Sequence, residues 1–323
     1  MKAITYDRYG GPEVIQIQEQ PQPKIQADQV LIRTHYLSIN PYDWHYMRGK
    51  PYFMRLEHGL RKPKHTILGN DIYGVITEVG KQVNDLQIGD RVMAAAKLGG
   101  FAEYAAVAAS RVIRVPEGLD GPNAAALVMA GVTAHAGVHE FGRVKQADRV
   151  LINGASGGVG HLAIQMAHAT GANVTGICSR KNSAWVKSLG ADEVIDYTQT
   201  NVSSLEDQFD VIIDVNGNLT LATYKQLLRK GGRVAVVGYN GMPDMMKKMW
   251  HQRFGSMDLK VVGVEENRSS MKPLVEMVEK GSITPHVSKI YSMEKFSEAI
   301  DHLEKGHAIG KLVVQIPVEG NTK

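Results

Sequence analysis

The stretch RVLINGASGGVGHLAIQMA, residues 149–167, decides the fold of this chain. An apolar run typical of a buried strand meets four glycines within seven residues, and a helical pattern follows. The spacing Ala155-x-Gly157-x-x-Gly160 matches the dinucleotide-binding fingerprint, with alanine in the first glycine position. In that fingerprint Gly157 lets a pyrophosphate approach the backbone, and Gly160 lets helix and strand pack closely.

The alternative for this motif is a glycine-rich turn that binds no ligand. The order of elements favours binding, because strand-like runs alternate with helical patterns from about residue 120 onward. The runs are RVLIN, NVTGIC, EVIDY, DVIIDV, GRVAVVG and LKVVGV, several of them apolar almost throughout, as parallel strands covered on both faces are. The sequence therefore predicts an α/β chain with a Rossmann doubly wound parallel sheet.

The end of the second of these strands indicates which dinucleotide binds. NAD-dependent proteins usually place an acidic residue there for the ribose hydroxyls, whereas this strand ends in Ser179, Arg180 and Lys181. A hydroxyl and a guanidinium bind a 2′-phosphate through charge-assisted hydrogen bonds. We therefore expect NADP(H), the alternative being a solvated basic turn.

The first third and the end of the chain have a different pattern. Short β runs separated by Gly, Pro and Asp predict a barrel-like β domain, namely AITY, VLIRTHYLSI, YGVITEVG, DRVMAAA, AEYAAVA and RVIRVP. The chain ends in a helix that we expect to be capped by Ser292 and stopped by Gly306, followed by a closing strand.

Composition narrows the class of protein. The 323 residues exceed what one hydrophobic core usually serves, so two domains are expected. A net charge of +4 with scattered basic residues argues against a nucleic-acid partner. The single cysteine, Cys178, excludes an internal disulfide and a cysteine-rich zinc site. Because residues 1–11 lack the apolar core of a signal peptide, we expect a cytoplasmic protein.

The chain passes from a β domain to a nucleotide domain and then returns to the first domain, and it contains the motifs GASGGVG, SLGADEVIDY and GHAIGKLVV. In these features it resembles the medium-chain dehydrogenase/reductase superfamily over essentially the whole chain. SINPYDWHYMRG is similar to the zinc-independent quinone oxidoreductase-like branch, whose Asn-x-x-Asp signature is here Asn40 and Asp43. The resemblance implies a GroES-like β-barrel-type catalytic domain (1–119, completed by 266–323), a Rossmann NADP-binding domain (120–265), and an active site in the cleft between them.

Zinc-dependent members of the superfamily carry a metal-binding Cys near Asn40 and a Gly-His-Glu motif where this chain has Gly69, Asn70 and Asp71. Neutral amides are poor replacements for thiolate and imidazole, so no metal site is predicted.

Two other patterns imitate known sites. His135 and His139, with Glu140 adjacent, resemble half a zinc site, but we interpret the histidines as satisfied or solvent-facing. The pair Tyr291 and Lys295 copies a short-chain dehydrogenase motif, which we interpret as chance because Tyr291 precedes the helix.

Without a metal, the easier hydride acceptors are quinones or α,β-unsaturated carbonyls, whose reduced oxygen needs hydrogen-bond donors. The candidate catalytic residues are Asn40, His45 and Tyr52, although His45 departs from the family pattern and fits a surface histidine equally well. Asp43 is interpreted as structural. The resemblance also places a set of residues along the cofactor: Thr133, Ser156, Gly157, Gly158, Val159, Tyr197, Asn216, Gly238, Tyr239, Gly310 and Lys311.

We therefore expect an NADPH-dependent, metal-free reductase of quinones or enones; the alternative is an NADPH-binding protein with little turnover that acts as a sensor, structural or peripheral membrane partner. The Met-rich segment 242–254 is interpreted as a helix over the sheet, a wall of the substrate pocket or a membrane-surface contact. Residues 259–267 read as the final strand of the sheet, whose edge would pair with a second copy in a homodimer. The alternative is a monomer, in which the Met-rich segment just before the strand covers this edge instead.

Overall fold

The structure, a computed structural model, describes residues 1–306 and 308–317. The chain forms two compact units. The first comprises Met1–Met129, Glu266–Glu279 and Pro285–Lys323, and the second comprises Ala130–Glu265 and Lys280–Thr284. His307 and residues 318–323 of the predicted C-terminal segment 266–323 lie outside the described residues.

The N-terminal part of the first unit is mainly β. Its elements are β1 (Lys2–Thr5), β2 (Gln16–Glu19), β3 (Gln29–Ser38), α1 (Pro41–Arg48), α2 (Met54–His58), β4 (Asp71–Val79), β5 (Arg91–Ala95), β6 (Tyr104–Ala108) and β7 (Val112–Arg114). The six predicted runs each coincide with one of these strands, whereas β2 was not predicted. Its side chains are all exposed, so it lacks the apolar alternation that marks a strand in sequence.

The next elements build the second unit. They are α3 (Gly121–His135), which begins in the first unit, β8 (Arg149–Asn153), α4 (Gly160–Ala169), β9 (Asn173–Cys178), α5 (Ser183–Ser188), β10 (Glu193–Asp196), β11 (Phe209–Asp214), α6 (Leu221–Leu227), β12 (Leu228–Val236), α7 (Gly241–Phe254) and β13 (Asp258–Val261). The six strands form one parallel sheet in the order β10-β9-β8-β11-β12-β13. The predicted Rossmann sheet is therefore confirmed.

The last strand of this sheet is shorter than the predicted run 259–267, because β13 ends at Val261. Val262 still donates its N–H to the carbonyl oxygen of Val236 in β12. Because successive N–H groups of an extended chain point to opposite sides, the N–H of Val261 points away from β12, to the outer edge of the sheet. There Val261 donates to Gln252 Oε1 of α7 at 2.7 Å. This edge donor is already satisfied within the chain, and the pairing of the strand with a second copy stays a prediction.

The chain then returns to the first unit with α8 (Arg268–Glu279), β14 (Val287–Ser292), α9 (Phe296–Glu304) and β15 (Lys311–Gln315). The two strands complete the sheet of this unit. The sheet order is β14-β15-β3-β4-β5-β7, with β6 paired to β3, as expected for the GroES-like domain. Gly306 adopts a φ of 72° after α9, as its predicted role as a stop requires. Ser292 does not cap the helix, because a 3-10 turn intervenes and its side chain makes no capping bond.

None of the helices in residues 1–306 and 308–317 combines the length and the apolar character that crossing a lipid bilayer requires.

Candidate functional site

The turn between β8 and α4 uses its glycines for different reasons. A Cβ on Gly160 would lie 2.0 Å from the carbonyl oxygen of Gly154, so the fold itself requires glycine there. A Cβ on Gly157 would lie 3.4 Å from the same oxygen, an ordinary contact, and the backbone of Gly157 is not left-handed. Nothing within the protein therefore demands a glycine at position 157, which is the behaviour expected where a ligand approaches the backbone.

The same turn offers free backbone donors. Within the described part of the chain, the N–H groups of Ser156, Gly158 and Val159 donate to no protein acceptor. All three residues are half-buried rather than enclosed. Asn182 donates from Nδ2 to the Ser156 hydroxyl at 3.0 Å, which fixes that side chain on the turn. Such a cluster of unpaired N–H groups beside a helix N-terminus is a site for an anion.

The parallel sheet collects most of the predicted cofactor residues at one edge, because the carboxyl ends of parallel strands lie together. Ser179 and Arg180 follow β9, Tyr197 follows β10, Asn216 follows β11, and Gly238 and Tyr239 follow β12. Thr133 is buried near the end of α3 in the second unit. Gly310 and Lys311 belong to the first unit, where Lys311 is buried.

The Arg180 guanidinium is available for a ligand. The residue is exposed, and among the described residues its side chain makes no hydrogen bond or ion pair. Its backbone N–H donates to Asp196 Oδ1 at 3.1 Å. Hydrogen bonds from Thr198 lower the pKa of Asp196, so a carboxylate lies near the Arg180 backbone.

In the first unit, several buried polar side chains lie together around Asn40. We call this set the Asn40 cluster; its members are Asn40, Asp43, Asn70, Asp71 and Lys311. Asn40 precedes α1 and its N–H donates to Asp43 Oδ2 at 2.8 Å, which forms a capping box. The side-chain amide nitrogen of Asn40 donates to Asp71 Oδ2 at 2.9 Å, and Lys311 Nζ donates to the side-chain oxygen of Asn40 at 2.5 Å. Asn70 donates to the other Asp71 oxygen at 2.8 Å.

The predicted donor Asn40 is thus engaged within the protein. It is 3% exposed, and besides its bond to Asp71 its amide nitrogen lies 3.3 Å from the Ser38 carbonyl oxygen, so both amide hydrogens have protein acceptors. Asp43 accepts the Asn40 N–H in this capping box, and its structural role stays a prediction.

Burial dominates the protonation equilibria of the Asn40 cluster. It raises the pKa of Asp43 to about 8, partly offset by the Asn40 N–H and reinforced by the charge of Asp71. Burial also raises the pKa of Asp71 and lowers that of Lys311, while their mutual attraction opposes both changes.

The other two catalytic candidates lie near each other in sequence but in different environments. His45 of α1 is half-buried, and its Nδ1 lies 2.8 Å from the carbonyl oxygen of Lys50. A carbonyl only accepts, so Nδ1 carries the proton in neutral His45, and burial lowers the pKa of the ring. Tyr52 is 65% exposed, with Lys50 and Arg55 near its ring.

Comparison with known proteins agrees with this architecture. Residues 26–117 match the family model of the alcohol dehydrogenase GroES-like domain, and residues 189–314 match that of the zinc-binding dehydrogenase. Human quinone oxidoreductase is 32% identical over 97% of each chain. An NADPH-dependent alkenal/one oxidoreductase of Arabidopsis thaliana chloroplasts is 33% identical over 97% of this chain and 79% of its own. The quinone oxidoreductase structure from Coxiella burnetii, 31% identical, superposes with a TM-score of 0.87 over 98% of this chain and 99% of the other.

The chain belongs to the quinone oxidoreductase-like group of the medium-chain dehydrogenase/reductase superfamily. It is accordingly an oxidoreductase.

The residues of this oxidoreductase do not fit the zinc ion that one family model is named for. Asn40 and Asn70 offer amides, which are poor zinc ligands, and Asp71 is bonded to both. The Lys311 ammonium reaches the Asn40 oxygen from the same cluster and would repel a cation. No group of three or more His, Cys, Asp or Glu side chains able to hold a metal occurs in residues 1–306 and 308–317.

The histidine pair and Tyr291 make contacts of their own within this oxidoreductase. The rings of His135 and His139 lie 4.8 Å apart, and burial lowers the pKa of His139 to about 4. Tyr291, in β14, has its hydroxyl 2.7 Å from His302 Nδ1.

Sequence reasoning missed a second cluster of buried polar side chains, at the carboxyl end of the parallel strand β11. Asp214, at the end of β11, accepts hydrogen bonds from Asn153 at 2.6 Å and from the Tyr224 hydroxyl at 2.6 Å. Lys248 of α7 is fully buried and lies 2.9 Å from Asp244 and 3.9 Å from Asp214. The signal was the spacing of Asp244 and Lys248, four residues apart, which more often marks an exposed helix pair.

Proposed function

We propose that this oxidoreductase is an NADPH-dependent, metal-free reductase of quinones or α,β-unsaturated carbonyls. The observation that carries the proposal is the turn after β8. The fold does not require a glycine at position 157, and the N–H groups of Ser156, Gly158 and Val159 have no acceptor among the described residues. The names of the human and Arabidopsis relatives support both acceptor classes.

In this proposal the backbone of residues 156–159 binds the cofactor pyrophosphate, and Ser179 and Arg180 bind the 2′-phosphate. Charge-assisted bonds from a guanidinium suit a phosphate dianion, and the Arg180 side chain makes no hydrogen bond or ion pair in the part of the chain described, although its charge also acts on the Asp196 carboxylate. When bound, NADPH supplies the hydride. Thr133, Asn216, Gly238 and Tyr239 are proposed to position its nicotinamide half.

The acceptor also needs one proton for each hydride it takes. At neutral pH the lowered pKa keeps His45 uncharged, and its only N–H already faces the Lys50 carbonyl oxygen. His45 is therefore the weaker donor. The exposed Tyr52 hydroxyl makes no hydrogen bond to the described residues and can polarise the acceptor oxygen or pass it a proton from solvent.

The Asn40 cluster is proposed to act by position. Lys311 donates a hydrogen bond to the side-chain oxygen of Asn40, and Asp71 accepts one from its side-chain nitrogen. Asp43 accepts the Asn40 N–H and so fixes the first turn of helix α1, the helix that contains His45. In this assignment Asn40 orients α1 and does not donate to the substrate.

The decisive experiment is steady-state NADPH oxidation with a panel of quinones, enones and alkenals after exhaustive chelation. Turnover with either acceptor class is expected. Tight NADPH binding without turnover of any acceptor would favour the alternative, a cofactor-binding protein that acts as a sensor or structural partner.

Two association properties are also proposed. A homodimer is expected, although Val261 at the outer edge of β13 is already bonded to Gln252. Light scattering decides the mass. For residues 242–254 the proposal is a helix that covers the sheet edge and presents Met246, Met249 and Trp250 outward.

A further inference from the structure

Residues 50–65, KPYFMRLEHGLRKPKH, form a surface segment of the first unit that is apolar on the outside; we call it the 50–65 segment. Its four most exposed large apolar side chains are Tyr52 (65%), Phe53 (52%), Leu56 (73%) and Leu60 (67%). Clustered exposure of this kind on a protein surface usually marks an interaction site.

The 50–65 segment is also strongly basic. Five basic residues face one acidic residue, Glu57, so the excess is 5 − 1 = 4 positive charges, equal to the net charge of +4 of the whole chain. The basic residues are Lys50, Arg55, Arg61, Lys62 and Lys64. The exposed side chains of Arg61 and Lys62 make no ion pair or hydrogen bond with any described residue, so their charge is free for a partner.

Internal anchors hold the 50–65 segment in this arrangement. Arg55 donates to the carbonyl oxygens of Gly49 at 2.9 Å and Arg48 at 3.2 Å, and its guanidinium stacks 4.2 Å from the Tyr9 ring. The Tyr9 hydroxyl donates to the Gly59 carbonyl oxygen at 2.6 Å. The segment is therefore a built surface, and its leucines are exposed although its backbone is fixed.

We propose that the 50–65 segment docks this protein on the surface of an anionic lipid bilayer. Exposed leucines and aromatic rings suit the boundary between headgroups and acyl chains, and the surrounding lysines and arginines suit anionic headgroups. An acidic protein would pair with the basic residues equally well. Leu56 and Leu60 are largely exposed, however, and the acyl chains of a bilayer can cover them without a complementary pocket. Binding needs neither cofactor nor substrate, so the inference stands independently of the proposed activity.

The test is co-sedimentation of the full chain at low salt with vesicles of phosphatidylcholine and with vesicles containing added phosphatidylglycerol. Binding is expected only with the anionic vesicles, and release in high salt, because each basic residue near such a surface strengthens binding about fivefold. Arg61→Gln with Lys62→Gln should weaken partitioning roughly 30-fold. The matched control, Lys225→Gln with Lys230→Gln, removes the same charge from exposed positions elsewhere and should bind as the parent does.

The apolar contribution is tested by Leu56→Ser with Leu60→Ser, expected to weaken binding at least about tenfold. Its matched control is Met246→Ser with Trp250→Ser, which removes two exposed apolar side chains from α7 and should leave binding intact. Thermal unfolding of each variant checks that it folds. Equal binding to neutral and anionic vesicles, no binding to either, or loss of binding only in the α7 variant would overturn the proposal.

Discussion

The ammonium group of Lys248, fully buried in α7, donates a hydrogen bond to the carbonyl oxygen of Gly217 at 2.7 Å. Gly217 has a φ of 69°, and a Cβ on it would lie 1.9 Å from the backbone of Gly238. The loops after β11 and β12 thus pack backbone against backbone, and Lys248 connects the loop after β11 to α7. These loops carry Asn216 and Tyr239, two of the residues proposed to position the nicotinamide half of the cofactor.

Lys248→Met should therefore affect both stability and cofactor binding. It leaves Asp214 buried without its nearby cation and the Gly217 oxygen without a donor, a loss of about 3 kcal/mol in the free energy of unfolding. Lys247→Met, at the exposed neighbouring position, should change stability by less than about 0.5 kcal/mol. Urea unfolding measures both. Equal stability of the two variants would mean that the buried ammonium contributes nothing.

Gly157→Ala separates a ligand requirement from a folding requirement. Its Cβ meets only an ordinary contact in the protein, so the free energy of unfolding should change by less than about 0.5 kcal/mol. The methyl group should obstruct the pyrophosphate and weaken NADPH binding at least about tenfold, measured by fluorescence titration. Gly160→Ala is the opposite case, because a Cβ 2.0 Å from the Gly154 oxygen should destabilise the fold. Unchanged NADPH affinity in Gly157→Ala would contradict the proposed site.

The difference between these glycines shows what the sequence reveals and what it does not. Local spacing predicted the strand, the turn and the helix correctly, since the glycine pattern and the apolar period are properties of neighbouring residues. It did not separate Lys247 from Lys248, which are adjacent and chemically identical. Besides Asp244, four residues earlier, Lys248 has partners in β11 and the following loop, more than thirty residues earlier in the chain, and these long-range contacts bury it.

The Asn40 cluster illustrates the same limit. The Asn-x-x-Asp spacing forms a capping box at the start of α1, because both residues act within one turn. Asn40 was a candidate donor to the nicotinamide or the substrate oxygen, whereas Lys311, 271 residues away, and Asp71 form hydrogen bonds with its amide. Contacts of such sequence separation are decided by the sheet register, with β15 and β4 on either side of β3, which no local pattern encodes.

Metal independence gives a simple prediction. Because amides and an ammonium occupy the Asn40 cluster, which does not suit a zinc ion, turnover should survive exhaustive chelation, and the purified protein should contain no stoichiometric zinc. Elemental analysis is the measurement. About one zinc per chain would contradict the assignment of the Asn40 cluster.

Cofactor preference depends on Arg180. Arg180→Ala should weaken NADPH binding by about 1.5–3 kcal/mol, roughly 10- to 150-fold, and leave NADH nearly unchanged, because only NADPH has the 2′-phosphate. Lys187→Ala, an exposed lysine on α5, is the matched control and should affect neither. Calorimetric titration of both cofactors decides the question. A parent protein that binds NADPH and NADH equally would remove the basis for the preference.

The last prediction concerns pH. Burial raises the pKa of Asp43 from 3.8 to about 8, so between these values the folded chain holds a proton that the unfolded chain has released. Stability contributed by this residue is therefore fully present at low pH and is lost as pH rises through about 8, with a slope of at most about 1.4 kcal/mol per pH unit. Asp43→Asn imitates the protonated carboxyl and keeps an oxygen for the Asn40 N–H, so its unfolding free energy should fall less steeply across this range. Asp28→Asn, at an exposed position, should retain the slope of the parent. Urea unfolding across that pH range is the measurement, and parallel curves for the parent and Asp43→Asn would mean that Asp43 is ionised in the folded protein at neutral pH.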